Sequence, residues 1–341
     1  MDIVFKGEFM NYKVGIIGSG SWGTTVGHLI ALNGYKVSMY SRNKKQIENI
    51  NKEHINKKYL PEFKLSKNIE ASNSLKEVTE NSDIIFIAVP SHSFRDTVKK
   101  MSNYLRPDQI VISLTKGIEI KTYNVMSQII SQESCIKLIG VLSGPNLAKE
   151  IMKNQPAATV IASKFDFVIK TVSKVISSDR FMVFAQRDVT GVEVAGALKN
   201  VIAIASGIGE GLGLGINATS FLVTLGISEI KYLALKLGAK PETFYGLAGT
   251  GDLMATSFSV LSRNFRFGKM VGKSNGIEEA LKSVNQVVEG YTTTEVAHLF
   301  AKSININMPI LEAVYRILYK KGKVDEVLSE LLKIRKDYLW E

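Results

Sequence analysis

Cysteine is nearly absent from this chain: Cys135 stands alone among 341 residues, so no intramolecular disulfide can form. Histidine is almost as scarce. His28, His54, His92 and His298 are widely scattered and carry no metal-ligand spacing, so no metal is expected. Cys135 reads as a small buried hydrophobe. No window approaches the roughly 18 to 20 consecutive apolar residues of a membrane span. The start, Met1-Asp2-Ile3-Val4, has no basic region leading into an apolar stretch. A cytoplasmic protein without a membrane span is therefore expected. Low-complexity segments and repeats of solenoid period are also missing.

What is present is the composition of a folded protein with more than one core: 45% of residues are hydrophobic and 22% charged. Two domains is the natural division at this length. Lysine and arginine number 43 against 32 acids, a net charge of +11. A strongly basic chain can mean a polyanionic partner. Here the basic residues come mostly as pairs, such as Lys44-Lys45, Lys99-Lys100 and Lys320-Lys321, interleaved with acids. That pattern is a solvated basic surface, with no nucleic acid partner expected and a modest bias toward small phosphorylated ligands.

The first half alternates short apolar runs with amphipathic stretches, the sign of a parallel sheet covered by helices on both faces. Strands are predicted at 13–18, 35–41, 83–89, 109–114, 137–142, 158–162 and 181–184, with a helix over 22–33 ended by Gly34. From about Asp188 the strand pattern stops and helical periodicity replaces it, through 193–206, 218–237, 295–302 and 311–320. The alternating glycines between Gly207 and Gly215 read as an ordered loop between helices. The fold class is α/β: a Rossmann-type doubly wound sheet over 11–190, then an all-α domain over 191–341. Residues 1–10 look like an appendage, and Met10 is an alternative start.

Gly18-Ser19-Gly20-Ser21-Trp22-Gly23 matches G-x-G-x-x-G directly after a strand and at the mouth of a helix. In that setting Gly18 permits the tight turn, Gly20 lets the backbone approach a pyrophosphate, and Gly23 lets the helix pack on the sheet. The helix N-terminus then offers free N–H groups and partial positive charge. The second strand ends in Ser41-Arg42-Asn43, without the carboxylate that would favour NAD; Arg42 can pair with a 2′-phosphate, so NADP is accepted. The alternative for Arg42 is a solvated residue at a helix start. Val89-Pro90-Ser91 ends a later strand near the expected crevice, where Pro90 would border the cofactor.

Seven motifs in order give the chain, over nearly all of residues 11–335, a resemblance to the soluble bacterial-type NAD(P)-dependent glycerol-3-phosphate dehydrogenases. They are the fingerprint through Thr24, Thr115-Lys116-Gly117-Ile118-Glu119, Ser143-Gly144-Pro145, Ala197-Leu198-Lys199-Asn200-Val201, Ala248-Gly249-Thr250-Gly251-Asp252-Leu253, Ser262-Arg263-Asn264 and Val287-Val288-Glu289-Gly290. The resemblance implies hydride transfer between NAD(P)H and dihydroxyacetone phosphate, giving sn-glycerol 3-phosphate for glycerophospholipid synthesis. A β-hydroxyacid or 6-phosphogluconate-type dehydrogenase is the alternative enzyme; a non-catalytic dinucleotide- or nucleic-acid-binding protein is the alternative outside enzymes.

By the same resemblance Lys199 is the proton acceptor and donor, assisted by Lys116 and Asp252. A lysine acts as a base near neutral pH only where desolvation and nearby cations lower its pKa. Lys199 lies in an otherwise apolar run, although a surface lysine is the bland reading. Asp252 can instead be an N-cap. Substrate is expected to meet Lys116, Gly144, Asn146, Lys199, Asp252, Ser262, Arg263 and Asn264, the last three as its phosphate site. Asn146 departs from the family pattern, which has a small hydroxyl residue there. Cofactor is expected to meet Gly18, Gly20, Ser21, Trp22, Gly23, Arg42, Pro90, Lys116, Ala148, Arg263, Val287 and Glu289, the last alternatively a structural acid beside Gly290. A homodimer is possible.

Overall fold

The computed structural model describes residues 12–273, 276–284 and 287–331. The appendage read at 1–10 and its alternative start lie outside them. In the first half, apolar runs become ten strands: β1 (Val14–Ile17), β2 (Val37–Tyr40), β3 (Ile55–Asn56), β4 (Leu60–Lys64), β5 (Ile69–Ser72), β6 (Ile84–Ile87), β7 (Ile110–Ser113), β8 (Ile139–Ser143), β9 (Ala157–Ser163) and β10 (Phe181–Gln186). Between them run α1 (Ser21–Leu32), α2 (Lys44–Glu53), α3 (Leu75–Glu80), α4 (Phe94–Ser102), α5 (Met126–Glu133), α6 (Ala148–Met152) and α7 (Asp166–Ile176).

Eight strands form one sheet in the order β10-β9-β8-β7-β6-β1-β2-β5. Strands β1, β6 and β7 are buried at every position, as strands covered on both faces must be. The chain builds outward from β1 through β2 and β5, then returns to lay β6 on the other flank. That reversal opens a crevice at the carboxyl ends of β1 and β6, where open α/β sheets bind ligands.

Two differences from the sequence reading concern the sheet. It is mixed, because β9 runs antiparallel to β8, with Gly140 opposite Ser163. The segment joining them holds only the five-residue α6, too short to carry the chain back across the sheet. Strands β3, β4 and β5 were not foreseen. The first two form a solvent-facing hairpin without a clean apolar alternation, and β5 is a short edge strand paired only to β2.

The second half is helical: α8 (Val189–Gly211), α9 (Ile216–Lys236), α10 (Asp252–Ser257), α11 (Arg263–Gly272), α12 (Ile277–Val284), α13 (Glu289–Ser303), α14 (Pro309–Tyr319) and α15 (Val324–Leu331). Helix α8 is the axis of this half. Asp188 caps it by accepting from the Gly191 N–H at 2.9 Å, and it is buried from Gly191 to Gly209. Of the glycines read as a loop, Gly213 and Gly215 do lie between helices, but Gly207, Gly209 and Gly211 instead prolong α8, and for Gly207 and Gly211 the reason is packing. A Cβ at Gly207 would lie 2.1 Å from the Phe265 carbonyl oxygen, and one at Gly211 would lie 2.4 Å from that of Lys269. Gly268 and Gly272 of α11 return the contact, their absent Cβ positions 2.1 and 2.3 Å from the Ile204 and Ile208 oxygens. Two helix backbones touch along this seam. The helical penalty of glycine, about 1 kcal/mol each, is offset by that approach.

By length and composition α8 and α9 are apolar enough to cross a membrane, contrary to the reading of the bare sequence. Helix α8 is enclosed by its neighbours from Gly191 to Gly209, and its buried faces carry Glu193 and Lys199. Cys135 is exposed rather than buried, its thiol 3.7 Å from the Leu105 carbonyl oxygen at the surface turn before β8.

Candidate active site

The fingerprint turn sits at the crevice. Gly18 has φ of +115°, and a Cβ there would strike the Ala88 carbonyl oxygen at 2.4 Å; at Gly23 it would strike the Gly18 oxygen at 2.2 Å. Gly20 is different: nothing lies within 4 Å of its absent Cβ. Gly20 is also the N-cap of α1, with no side chain capping the helix and no acid in its first turn. Ser21 and Trp22 open that turn, and Trp22 packs partly against the sheet core. An open cradle above uncapped N–H groups fits a dinucleotide pyrophosphate.

A buried polar network holds this turn to the end of β2. The Ser19 hydroxyl donates to Ser41 Oγ at 2.8 Å. Gln46 Nε2 and Asn56 Nδ2 donate to the Ser19 carbonyl oxygen at 2.6 and 3.0 Å. Asn43 caps α2, accepting from the Gln46 N–H. Arg42 is thereby left exposed, next to Lys44 and Lys45 and with no acid in the first turn of α2. Pro90 leads from β6 into a short turn, Ser91–Ser93, on the opposite side of the crevice.

Three side chains from distant parts of the chain converge at the mouth of this crevice. Lys116 follows β7, Lys199 lies midway along α8, and Asp252 begins α10 after a five-residue π-helical turn, Leu247–Gly251. Lys199 Nζ donates to Asp252 Oδ1 at 2.6 Å, and Lys116 Nζ donates to Asp252 Oδ2 at 2.6 Å. Lys116 also donates to the Gly144 carbonyl oxygen at 3.2 Å, and Lys199 bonds the Thr256 hydroxyl. Asp252 is therefore not an N-cap; Gly251 holds that position.

Lys199 is 6% exposed and Asp252 1%. Burial pulls the Lys199 ammonium down from the usual lysine range to about 8; the Asp252 charge opposes the shift and Lys116 reinforces it. The arrangement is one anion between two cations, with an amine that can change protonation near neutral pH.

The remaining expected residues divide by whether their polar atoms are already engaged. Ser262 Oγ caps α11, accepting from the Phe265 N–H at 3.2 Å. Asn264 donates to Asn200 Oδ1 at 2.8 Å and accepts from the Gly290 N–H at 2.9 Å, so its amide ties α8, α11 and α13 together. Arg263, by contrast, is exposed, and among the described residues no hydrogen bond or ion pair engages its guanidinium. Asn146 accepts from the Thr159 hydroxyl at 2.8 Å and donates to the Ala158 carbonyl oxygen at 3.0 Å. Its extra length over a small hydroxyl residue is spent on bracing β9. Gly144 and Ala148 border the same loop.

Glu289, the first residue of α13, accepts from the Ser91 hydroxyl at 2.7 Å and so bridges the helical half to the β6 turn. Burial raises its pKa, while the Ser91 hydrogen bond and the Arg263 charge work the other way. Val287 is exposed. Sequence reasoning missed Thr256 and Ser91 as partners of site residues. Thr256 had a signal, lying four residues after Asp252 on the same helix face; Ser91, distant from Glu289 in sequence, had none.

With this geometry in view, the family profile described as NAD-dependent glycerol-3-phosphate dehydrogenase N-terminus matches residues 13–167, and its C-terminus counterpart matches residues 188–329. The NAD(P)+ glycerol-3-phosphate dehydrogenase of Halothermothrix orenii is 44% identical over 325 residues, spanning 95% of each chain. That of Acinetobacter baumannii is 42% identical over 321 residues, 94% of this chain and 90% of its own. The crystal structure of glycerol-3-phosphate dehydrogenase from Coxiella burnetii superposes with a TM-score of 0.91 at 34% identity, covering 95% of this chain and 99% of that one.

Proposed function

Because the chain belongs to the NAD-dependent glycerol-3-phosphate dehydrogenase family, we propose that Lys199 moves the proton while a hydride passes between NAD(P)H and C2 of dihydroxyacetone phosphate. The activity is the reversible interconversion of dihydroxyacetone phosphate and sn-glycerol 3-phosphate. The observation that carries the mechanism is the shared carboxylate: both lysines reach Asp252 at 2.6 Å at the mouth of the glycine-lined crevice.

When bound, a nicotinamide dinucleotide would supply the hydride in one direction and take it in the other. Gly18, Gly20, Ser21, Trp22 and Gly23 would hold its pyrophosphate, and Pro90, Ala148, Val287 and Glu289 would border the rest of it. Lys199, as an ammonium, gives its proton to the substrate oxygen during reduction and, as a neutral amine, takes it back during oxidation. Asp252 keeps both lysines in place and offsets their charge. Lys116 adds positive charge beside the same oxygen, which stabilises the negative charge that develops there. Arg263 holds the phosphate with its free guanidinium fork, aided by the Ser262 hydroxyl hydrogen and the Asn264 amide hydrogen that the cap and the ties above do not use; Gly144 and Asn146 form the facing wall.

The finer readings rest on fewer observations. The exposure of Arg42 and the absence of an acid from the first turn of α2 support NADPH as an accepted cofactor. The break between β10 and α8, at 187–188, supports a division into two domains close to the boundary expected between 190 and 191. Helix α9 leaves Ile216 and Phe221 exposed, which supports a homodimer, readable by sedimentation. We also propose a cytoplasmic place and a role in supplying glycerophospholipid synthesis, readings that family membership supports. The test of the central reading follows NADH and NADPH absorbance with dihydroxyacetone phosphate for wild type and Lys199→Ala. Loss of turnover by several orders of magnitude is expected; undiminished turnover rejects Lys199.

A further inference from the structure

Glu193 is a buried carboxyl that the mechanism above does not use. It lies on α8, two turns before Lys199, and is 5% exposed. Its partners belong to the other half of the molecule: it accepts from the Ser127 N–H at 2.9 Å and from the Ser127 hydroxyl, both in the first turn of α5. A carboxyl at a helix N-terminus satisfies N–H groups that the helix cannot. This one does so across a junction.

The segment it grips carries Lys116. Residues 118 to 125 form a closed loop, bridged between Ile118 and Val125 and by the Glu119 N–H to the Asn124 carbonyl oxygen at 2.9 Å. The two ends of the loop are therefore adjacent, and holding Ser127 also holds Gly117 and Lys116. Arg95 fixes the closed end of the loop through a bidentate pair with Glu119, at 2.6 and 2.7 Å, and also pairs with Glu133 of α5. Ile118 and Val125 pack into the same core as Val194, Ala195 and Ala197 of α8. One turn before Lys199, Gly196 lies against the Lys116 stem, whose Cγ is 3.5 Å from where a Cβ would stand, and a Cβ there would crowd Ser143 Oγ at 2.9 Å.

We propose that Glu193 is a positioning residue: it ties the helix bearing Lys199 to the loop bearing Lys116, and so fixes how the two ammonium groups meet Asp252. The proposal rests on the catalytic reading of Lys199. Burial raises the Glu193 carboxyl to about 7, against the Ser127 hydrogen bonds, which favour its charged form.

The test compares Glu193→Ala, Glu193→Gln and Ser127→Ala, with Glu229→Gln as control. Glu229 is the same kind of group, a buried carboxyl accepting from the Ile310 and Leu311 N–H groups at the start of α14, but it touches nothing in the site. Glu193→Ala is expected to lower kcat for dihydroxyacetone phosphate reduction by on the order of ten- to a hundredfold, as small misplacements of reacting groups do. Its KM should change little. The pH at which reduction fails should rise above about 8, because water admitted around Lys199 relieves the desolvation that lowers it. Glu193→Gln keeps one acceptor and should fall between Glu193→Ala and wild type. Glu229→Gln should change thermal stability alone. Wild-type kcat and pH profile in Glu193→Ala overturn the proposal, whatever its Tm. If that variant does not fold, wild-type behaviour of both Glu193→Gln and Ser127→Ala overturns it. Full turnover by Lys199→Ala would instead reject the catalytic reading itself.

Discussion

Lys116 and Lys199 set their ammonium groups on opposite oxygens of Asp252, each at 2.6 Å, so two cations share one anion inside a nearly dry pocket. The unit carries one positive charge in excess. That excess suits a phosphorylated substrate, and it keeps the Lys199 proton loosely held, because burial and Lys116 both favour its release.

The first prediction concerns pH. With Lys199 at about 8, reduction needs the protonated form and should proceed fully below that pH, then fall tenfold per unit above it. Oxidation needs the neutral amine and should rise toward the same pH. Steady-state kcat in both directions from pH 6 to 10 reads this; a reduction rate that is level across pH 8 would count against Lys199 as the donor.

Replacing Asp252 by asparagine removes the charge that opposes desolvation at Lys199. The reductive limb should move to lower pH, and kcat should fall at least a hundredfold as the lysines lose their common anchor. Stability should drop by about 3–5 kcal/mol, the cost of breaking a buried pair. Thermal unfolding and the pH profile are read together; an unmoved profile would separate Asp252 from Lys199.

Arg42→Ala tests cofactor discrimination. A charge-assisted pair contributes about 1.5–3 kcal/mol, so NADPH affinity should weaken roughly ten- to a hundredfold while NADH affinity changes little. Fluorescence titration of both nucleotides settles it, and equal losses would discard the role.

The glycines of α8 and α11 should respond unequally to a methyl group. Gly268→Ala places a carbon 2.1 Å from the Ile204 oxygen and should destabilise the fold by about 1–3 kcal/mol or more. Gly209→Ala meets only side chains, the nearest Leu214 Cδ1 at 3.5 Å, and should be neutral or gain up to about 1 kcal/mol. Denaturant midpoints compare them, and similar values for the two would remove close backbone contact as the reason for the glycines.

Much of the fold could be read from the chain alone, and the exceptions have physical causes. The buried strands β1, β6 and β7 announce themselves as apolar runs such as Val14–Ile17, whereas β5, half-exposed at an edge, lacks that signal. The glycines from Gly207 onward look permissive in sequence because propensity is local; the contact that explains them comes from α11, far along the chain. The site divides the same way. Lys116, Lys199 and Asp252 could be named from motifs, and the structure brings them together. That the amides of Asn146 and Asn264 are tied into the protein's own framework depends on neighbours that spacing cannot reveal.

The glycine seam sets a length as well as a fit. Helix α8 carries Lys199 and α11 opens with Arg263, and with main chain resting on main chain neither can slide or tilt without collision. The spacing of the two main chains that carry the proton-bearing amine and the proposed phosphate-gripping arginine is thus gauged by the backbones themselves. A phosphorylated ketone one carbon longer or shorter than the three-carbon ligand would be anchored at one end and out of register at the other.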